Sequence, residues 1–207
     1  MANNFLDPIQ VSYPLLTGRK FVLGSQSPRR KTLLEGLGIL PEVRINDMDE
    51  SIPAHILPHE APEYLARKKA SHFIHSLQEN ELLITADTIV IIDQKILGKP
   101  ANKEEAFATL SHLSGHMHEV VSGVCIASST VTHSFCETTK VFFRTLTAEQ
   151  INYYIDQFAP YDKAGAYGIQ EWIGLVAIEK IEGDFYNVMG LPVGKLVAEL
   201  EQHFSLV

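Results

Sequence analysis

From Leu82 to Ile92 the chain reads Leu-Leu-Ile-Thr-Ala-Asp-Thr-Ile-Val-Ile-Ile. A strand with one face in water alternates apolar and polar residues. This run is almost continuously apolar or β-branched, the pattern of a strand buried on both faces of a sheet. The chain must therefore supply covering layers. In its middle stands Asp87, a carboxylate that needs a partner or a metal if it is buried there. The other reading is that Asp87 emerges at a sheet edge and bonds to backbone.

The rest of the sequence supplies those layers. Phe21-Val22-Leu23 reads as a strand, running through Gly24-Ser25-Gln26-Ser27-Pro28 into a helix that carries Leu33, Leu34 and Leu37 and ends at Gly38. A second helix is expected from about Pro62 to Leu77. Asp93-Gln94-Lys95 turns the apolar strand into Ile96-Leu97-Gly98-Lys99-Pro100. Asn102 with Glu105, and Thr147 with Gln150, read as capping boxes that open two further helices. Between them lie β runs at about Glu119–Ala127 and His133–Leu146. Pro160 ends the fourth helix, Tyr161 to Gln170 is a glycine-broken loop, and two short strands are expected around Glu182-Gly183-Asp184. Val193, Leu196, Val197 and Leu200 mark the last helix. Strands and helices interleave, but adjacent strands also occur, so a mixed sheet with helices packed on it is expected.

Acidic residues outnumber basic ones by 25 to 17, a net charge of −8, which argues against coating a nucleic-acid polymer. No apolar run approaches the ~20 residues that span a bilayer. Residues 1–10 lack the cationic and apolar regions of a secretory signal, so a cytoplasmic location without membrane attachment is expected. Cys125 and Cys136 then read as reduced packing residues.

Several positions carry chemistry. Ser27 reads as an N-cap and Pro28 as the first helical residue, followed by Arg29, Arg30 and Lys31. Cations at the positive end of a helix dipole each cost a few tenths of a kcal/mol, a repulsion that replacing either arginine would relieve. Three of them make sense around an anion such as a polyphosphate, the plainer alternative being a solvated basic turn. Lys69 falls inside the apolar stripe Ala66, Ala70, Phe73, Ile74 and Leu77, where it either snorkels from the core edge or reaches into a site. Lys99 is held in a turn between Gly98 and Pro100. Asp47, Asp49 and Glu50 could offer hard oxygens to Mg²⁺ or Mn²⁺. His55/His59 and His112/His116/His118 have spacings open to zinc but lack cysteine partners. Walker, nucleophile-elbow and dinucleotide-binding motifs are absent from the sequence, against a P-loop NTPase, an α/β-hydrolase and a typical dinucleotide enzyme.

Ser25-Gln26-Ser27-Pro28-Arg29-Arg30-Lys31, Ala86-Asp87-Thr88, Leu97-Gly98-Lys99-Pro100, Leu113-Ser114-Gly115, residues 162–170 and residues 183–192, in that order, resemble the Maf family of nucleoside triphosphate pyrophosphatases. The resemblance runs from about Phe21 to Leu200. It implies a Maf/inosine-triphosphatase-like α/β fold with an elongated mixed sheet flanked by helices. It also implies a single domain over residues 1–207, with 1–20 as an N-terminal extension and room for two lobes around a central cleft. A nucleoside triphosphate substrate, a divalent cation and a homodimer come with it. By resemblance, Asp87 takes the proton-acceptor position, with Lys69 and Lys99 as catalytic partners and Glu50 with Asp87 as metal ligands. Ser25, Ser27, Arg29, Arg30, Thr88, Lys163 and Gln170 fall at substrate-binding positions. Gln170 points to the branch that cleaves dTTP and UTP. A branch acting on 7-methyl-GTP, and a non-catalytic role in cell division, are the rivals. Gln26 and Glu171 depart from the family pattern, and Glu171 could offer a carboxylate to a guanine edge.

Overall fold

A computed structural model describes residues 18–204, so the expected N-terminal extension falls, over residues 1–17, outside the described residues. In chain order the elements are β1 (Lys20–Leu23), α1 (Pro28–Gly36), β2 (Glu42–Val43), α2 (Ala61–Ser71), β3 (Glu81–Ile92), β4 (Lys95–Leu97) and α3 (Lys103–Leu113). There follow β5 (Met117–Ala127), β6 (Thr132–Phe143), α4 (Ala148–Phe158), α5 (Trp172–Ala177), β7 (Ile178–Glu182), α6 (Phe185–Met189) and α7 (Val193–His203). The strands form a mixed sheet in the order β2-β1-β3-β5-β6-β7, with β4 paired to β3. β1 runs parallel to β2 and β3, whereas β4 is antiparallel to β3 and β7 to β6. This is the mixed α/β architecture that the interleaved elements lead one to expect.

The chain divides into two compact units. Among the described residues the first takes 18–87, 123–136 and 190–204, and the second 88–122 and 137–189. Three of the divisions fall inside β3, β5 and β6 and the fourth after α6, and in β3 the division separates Asp87 from Thr88.

In the first unit, Val22, Ala66, Ala70, Leu77, Leu83, Cys125 and Ala127 form a buried cluster, with Phe73 and Ile74 packed against it. The apolar stripe of the second helix is therefore used as its spacing indicates, but α2 stops at Ser71 instead of running to Leu77. The Ser71 hydroxyl donates to the Lys68 carbonyl, and the His72 and Phe73 amides bond three residues back, to Lys69 and Ala70. That tighter pattern passes into a 3₁₀ turn at Ile74–Ser76, and the stripe reaches the core without an unbroken helix. Gly123 of β5 lets α2 come close: a Cβ there would lie 2.1 Å from the Glu63 amide nitrogen and 2.2 Å from the Pro62 carbonyl carbon. Both cysteines are free, and burial pushes each thiol up to about 11.

In the second unit, β3 and β4 form a hairpin in which Ile92 faces Lys95, and Asp93 and Gln94 take φ of 50° and 62°. A two-residue turn with both residues left-handed matches the twist of the strands. At α4 the Thr147–Gln150 box is complete, each side chain accepting from the other's backbone N–H. At α3 Asn102 caps the Glu105 amide, but Glu105 reaches back to the Ala101 N–H, one residue beyond the expected partner.

After residue 170 one expectation fails and one element is new. Trp172–Ala177 is a helix, α5, in what had no assigned element. Only one strand flanks Glu182-Gly183-Asp184; the other is α6. Gly183 has φ 126°, and the Asp184 carboxylate accepts from the Tyr186 amide at 2.7 Å, an N-cap arrangement that starts a helix.

Candidate active site

Seven of the expected site residues, Ser25, Ser27, Arg29, Arg30, Glu50, Lys69 and Asp87, belong to the first unit. The loop after β1 enters α1 as its spacing indicates: Ser27 is the N-cap, Pro28 the first helical residue, and no acidic side chain lies in the first turn. Ser25 Oγ accepts from the Ser27 amide at 3.2 Å and from Arg30 Nη1 at 3.1 Å. Arg30 Nε also donates to the Gly190 carbonyl at 2.9 Å. Burial lowers the Arg30 pKa, with the Asp87 carboxylate opposing that shift and Arg29 adding to it. Part of the side chain meets solvent, and the guanidinium stays a full cation. One of the two arginines of the basic helix start is thus already fixed by the protein's own acceptors.

Asp87 and Thr88 are half-buried in a strand whose other ten residues are buried. The carboxylate is paired: Lys69 Nζ lies 2.6 Å from Asp87 Oδ1 and 2.9 Å from Glu50 Oε1. Lys69 and Asp87 are each 15% exposed at the side chain and Glu50 53%. Of the two sequence readings of Lys69, the structure takes the one in which it reaches into a cluster. The Thr85 hydroxyl, on the same strand, donates to the Ala66 carbonyl at 2.7 Å and so holds α2, which carries Lys69, against β3, which carries Asp87. Asp49 serves another purpose, binding the Ser51 amide at 2.9 Å and standing 3.8 Å from Lys68 Nζ, and Asp47 is exposed.

Glu50 and Asp87 converge on one point within 3 Å, now filled by an ammonium. Two such carboxylate oxygens are a donor set that suits Mg²⁺ or Mn²⁺, which take one or two carboxylates and complete their shells with water or phosphate. The residues fit a hard divalent cation.

The remaining expected residues belong to the second unit. Thr88 Oγ1 lies 2.8 Å from Ser122 Oγ, which donates in turn to the Asn187 carbonyl at 3.1 Å. Asn187 Nδ2 donates to Val120 O and to Thr139 Oγ1, at 3.0 and 2.9 Å. This buried network behind Thr88 joins residues 34 or more apart, so no local spacing pointed to it. Lys99 is exposed, in a turn where the Gly98 carbonyl accepts from the Gly165 amide at 3.2 Å. Lys163 is buried and lies 2.7 Å from Asp162 Oδ1 and 3.2 Å from Glu171 Oε1. The other Glu171 oxygen accepts from the Tyr154 hydroxyl, which itself accepts from the Gly168 amide at 3.0 Å. Both oxygens of Glu171 are therefore committed. Gln170, by contrast, has a buried Oε1 with no hydrogen-bond partner.

His118, one of the histidines with zinc-like spacing, is buried with Nε2 2.8 Å from Tyr167 OH, its ring edge-on to Phe143 and Tyr167. One group escaped the sequence reading altogether: His133, Glu199 and His203, whose ligand atoms all lie within 4.8 Å of one another. No described helix is long and apolar enough to cross a membrane.

A family model described as Maf-like protein matches residues 20–203. The chain is 54% identical over 186 residues to a protein of Parabacteroides distasonis named dTTP/UTP pyrophosphatase, covering 89% of this chain and 96% of that one. It is 53% identical to one of the same name from Porphyromonas gingivalis, over 88% and 93% of the two chains. A third so named, from Cytophaga hutchinsonii, is 48% identical over 89% and 84%. Among solved structures, a nucleoside-triphosphatase (dITP/XTP pyrophosphatase) from Mycobacterium abscessus aligns over 89% of this chain and 96% of its own at 12% identity, with a TM-score of 0.39, a weak likeness.

Proposed function

Because the chain belongs to the Maf family, matched over residues 20–203, we propose that it hydrolyses dTTP and UTP to the nucleoside monophosphate and pyrophosphate. The observation that carries the chemistry is the triad of Asp87, Lys69 and Glu50 in the unit that also carries the basic start of α1. In this reading Arg29 and Arg30, with Ser25, Ser27 and the free amides of α1, hold the polyphosphate. Lys69 and Lys99 neutralise charge that grows on the phosphate oxygens. Asp87 accepts the proton of the attacking water as the bond between the α and β phosphates breaks, and the electron pair of that bond leaves on pyrophosphate. Mg²⁺ or Mn²⁺ held by Glu50 and Asp87 supplies further charge neutralisation when bound. A homodimer and a cytoplasmic location complete the proposal, both resting on the family resemblance.

Arg30, Thr88 and Gln170 serve substrate choice in the same reading, and Lys163 substrate binding. A uracil or thymine edge presents acceptor, donor, acceptor. The unpartnered Gln170 Oε1 can take the N–H of that edge and the amide nitrogen can donate to a carbonyl. A guanine edge presents two adjacent donors and calls for a carboxylate, but that of Glu171 is held by Lys163 and Tyr154. Pyrophosphate release from dTTP, UTP, GTP and 7-methyl-GTP with Mg²⁺ or Mn²⁺ tests both levels. The expected kcat/KM for dTTP and UTP exceeds that for either guanine nucleotide by at least about tenfold, and Gln170→Glu narrows the gap. Equal turnover of 7-methyl-GTP would overturn the pyrimidine assignment. Failure to release pyrophosphate from any of the four would overturn the chemistry.

A further inference from the structure

His133 stands near the start of β6, and Glu199 and His203 lie one helical turn apart on α7. All three belong to the first unit and none takes part in the active-site reading. The apolar stripe of α7, with Val193, Leu196 and Leu200 buried, sets which face of the helix turns outward. Lys195 Nζ donates to the Cys136 carbonyl at 2.7 Å and lies 5.4 Å from the centre of the Phe135 ring, which ties α7 to β6. The three side chains are thus brought together by two anchored elements.

One ligand atom from each of the three lies within 4.8 Å of the others. The two imidazoles stack with centroids 3.9 Å apart and planes 23° from parallel. Their Nε2 atoms lie 2.8 Å (His133) and 3.3 Å (His203) from the same oxygen, Glu199 Oε2. Despite that approach, His133 Nε2 is buried and has no hydrogen bond of acceptable geometry. We propose that His133, Glu199 and His203 bind a divalent transition metal of the zinc type. Zinc bonds to imidazole nitrogen and carboxylate oxygen are about 2.0–2.2 Å long, so ligand atoms around one ion stand roughly 3.3 Å apart. Reaching that takes small changes in separation and a rotation of the stacked rings that turns both lone pairs toward one ion. Two nitrogens and one oxygen select zinc and its neighbours over Mg²⁺, which prefers an all-oxygen shell. Three protein ligands leave a position for water, and His203 also lines an open depression of about 300 Å³, with Arg19, Ser128 and Thr130 on its wall.

Calorimetric titration of the chelator-treated full chain with Zn²⁺, in excess Mg²⁺, tests this. One equivalent of Zn²⁺ is expected to bind, and Co²⁺ in its place should give visible absorption bands of a nitrogen–oxygen site. Glu199→Gln should weaken Zn²⁺ binding at least about tenfold, and His133→Gln with His203→Gln should abolish it. His203→Gln alone, at a partly exposed position, should also weaken it and serves where the double variant fails to fold. Asp87→Asn should leave it intact. Absence of Zn²⁺ uptake by the parent chain would overturn the proposal and reduce the trio to a histidine–carboxylate ion-pair cluster. So would uptake that survives the histidine substitutions, or uptake lost in Asp87→Asn.

Discussion

Asp87 and Thr88 are adjacent, yet they face different work: the carboxylate is bound to Lys69, and the hydroxyl joins the Ser122–Asn187 network. If Asp87 takes the water's proton, Asp87→Asn lowers kcat by at least about 10²-fold while circular dichroism stays that of the parent. Near-normal turnover of a folded variant would remove Asp87 from the mechanism. Arg30 calls for a different expectation. The dipole argument taken alone has Arg30→Ala relieving a few tenths of a kcal/mol. The structure shows two hydrogen bonds from its guanidinium, to Gly190 O and Ser25 Oγ, and bonds from charged groups contribute about 1.5–3 kcal/mol each before solvent exposure reduces them. The bonds win. Arg30→Ala is therefore expected to lower stability in urea by about 1–2 kcal/mol as well as raising KM. A variant more stable than the parent would mean that repulsion dominates.

At the scale of elements, the position of α2 decides where Lys69 points, and Gly123 decides how near α2 can come. A methyl group at residue 123 would sit about 2 Å from helix backbone, which no rotamer change can relieve. Gly123→Ala is expected to cost about 3 kcal/mol or more in urea unfolding, the upper end for overpacking, and to depress kcat as Lys69 moves with its helix. Gly194 in α7 is the control, since a Cβ there meets nothing within 4 Å. Gly194→Ala should be stabilising by up to about 1 kcal/mol. Equal effects at the two glycines would show that close packing does not set the position of α2.

For the molecule as a whole, one buried ring adds a loss of stability on the acid side that begins above the carboxylate range. Burial pushes the His118 pKa down to about 3, from 6.5. A histidine held neutral in the fold takes up a proton more readily when unfolded. Its contribution is present above pH 6.5 and is lost as pH falls toward the folded value, by as much as about 1.4 kcal/mol per pH unit. Glu81, whose pKa is lowered chiefly by its hydrogen bond from Arg44, contributes above its ordinary value and is lost only below pH 4.5. Between pH 6.5 and 4.5 the fall in unfolding free energy should therefore be shallower in His118→Gln than in the parent. Urea titrations across that window check it, and parallel slopes in the two proteins would deny His118 the role.

Periodicity and capping determined most of the elements by themselves, because a buried strand, a Ser-Pro helix start and a Thr-x-x-Gln box are local arrangements that need few distant contacts. The cation-rich start of α1 and the lone carboxylate of β3 were legible for the same reason: each conflicts with its own neighbourhood. Local pattern was weakest where a side chain redirects the backbone, as Asp184 does in starting α6 and the Ser71 hydroxyl in accompanying the end of α2. Pairings over long separations were decided only by the tertiary structure. The sequence leaves Lys69 two readings and Glu171 open to a base edge; the placing of β3 against α2 decides the first, and the hold of Lys163 and Tyr154 on Glu171 decides the second. His133 and Glu199 are 66 residues apart, and no spacing rule could have joined them. Such partners are selected by how strands and helices pack, a property of the whole chain and of no segment within it.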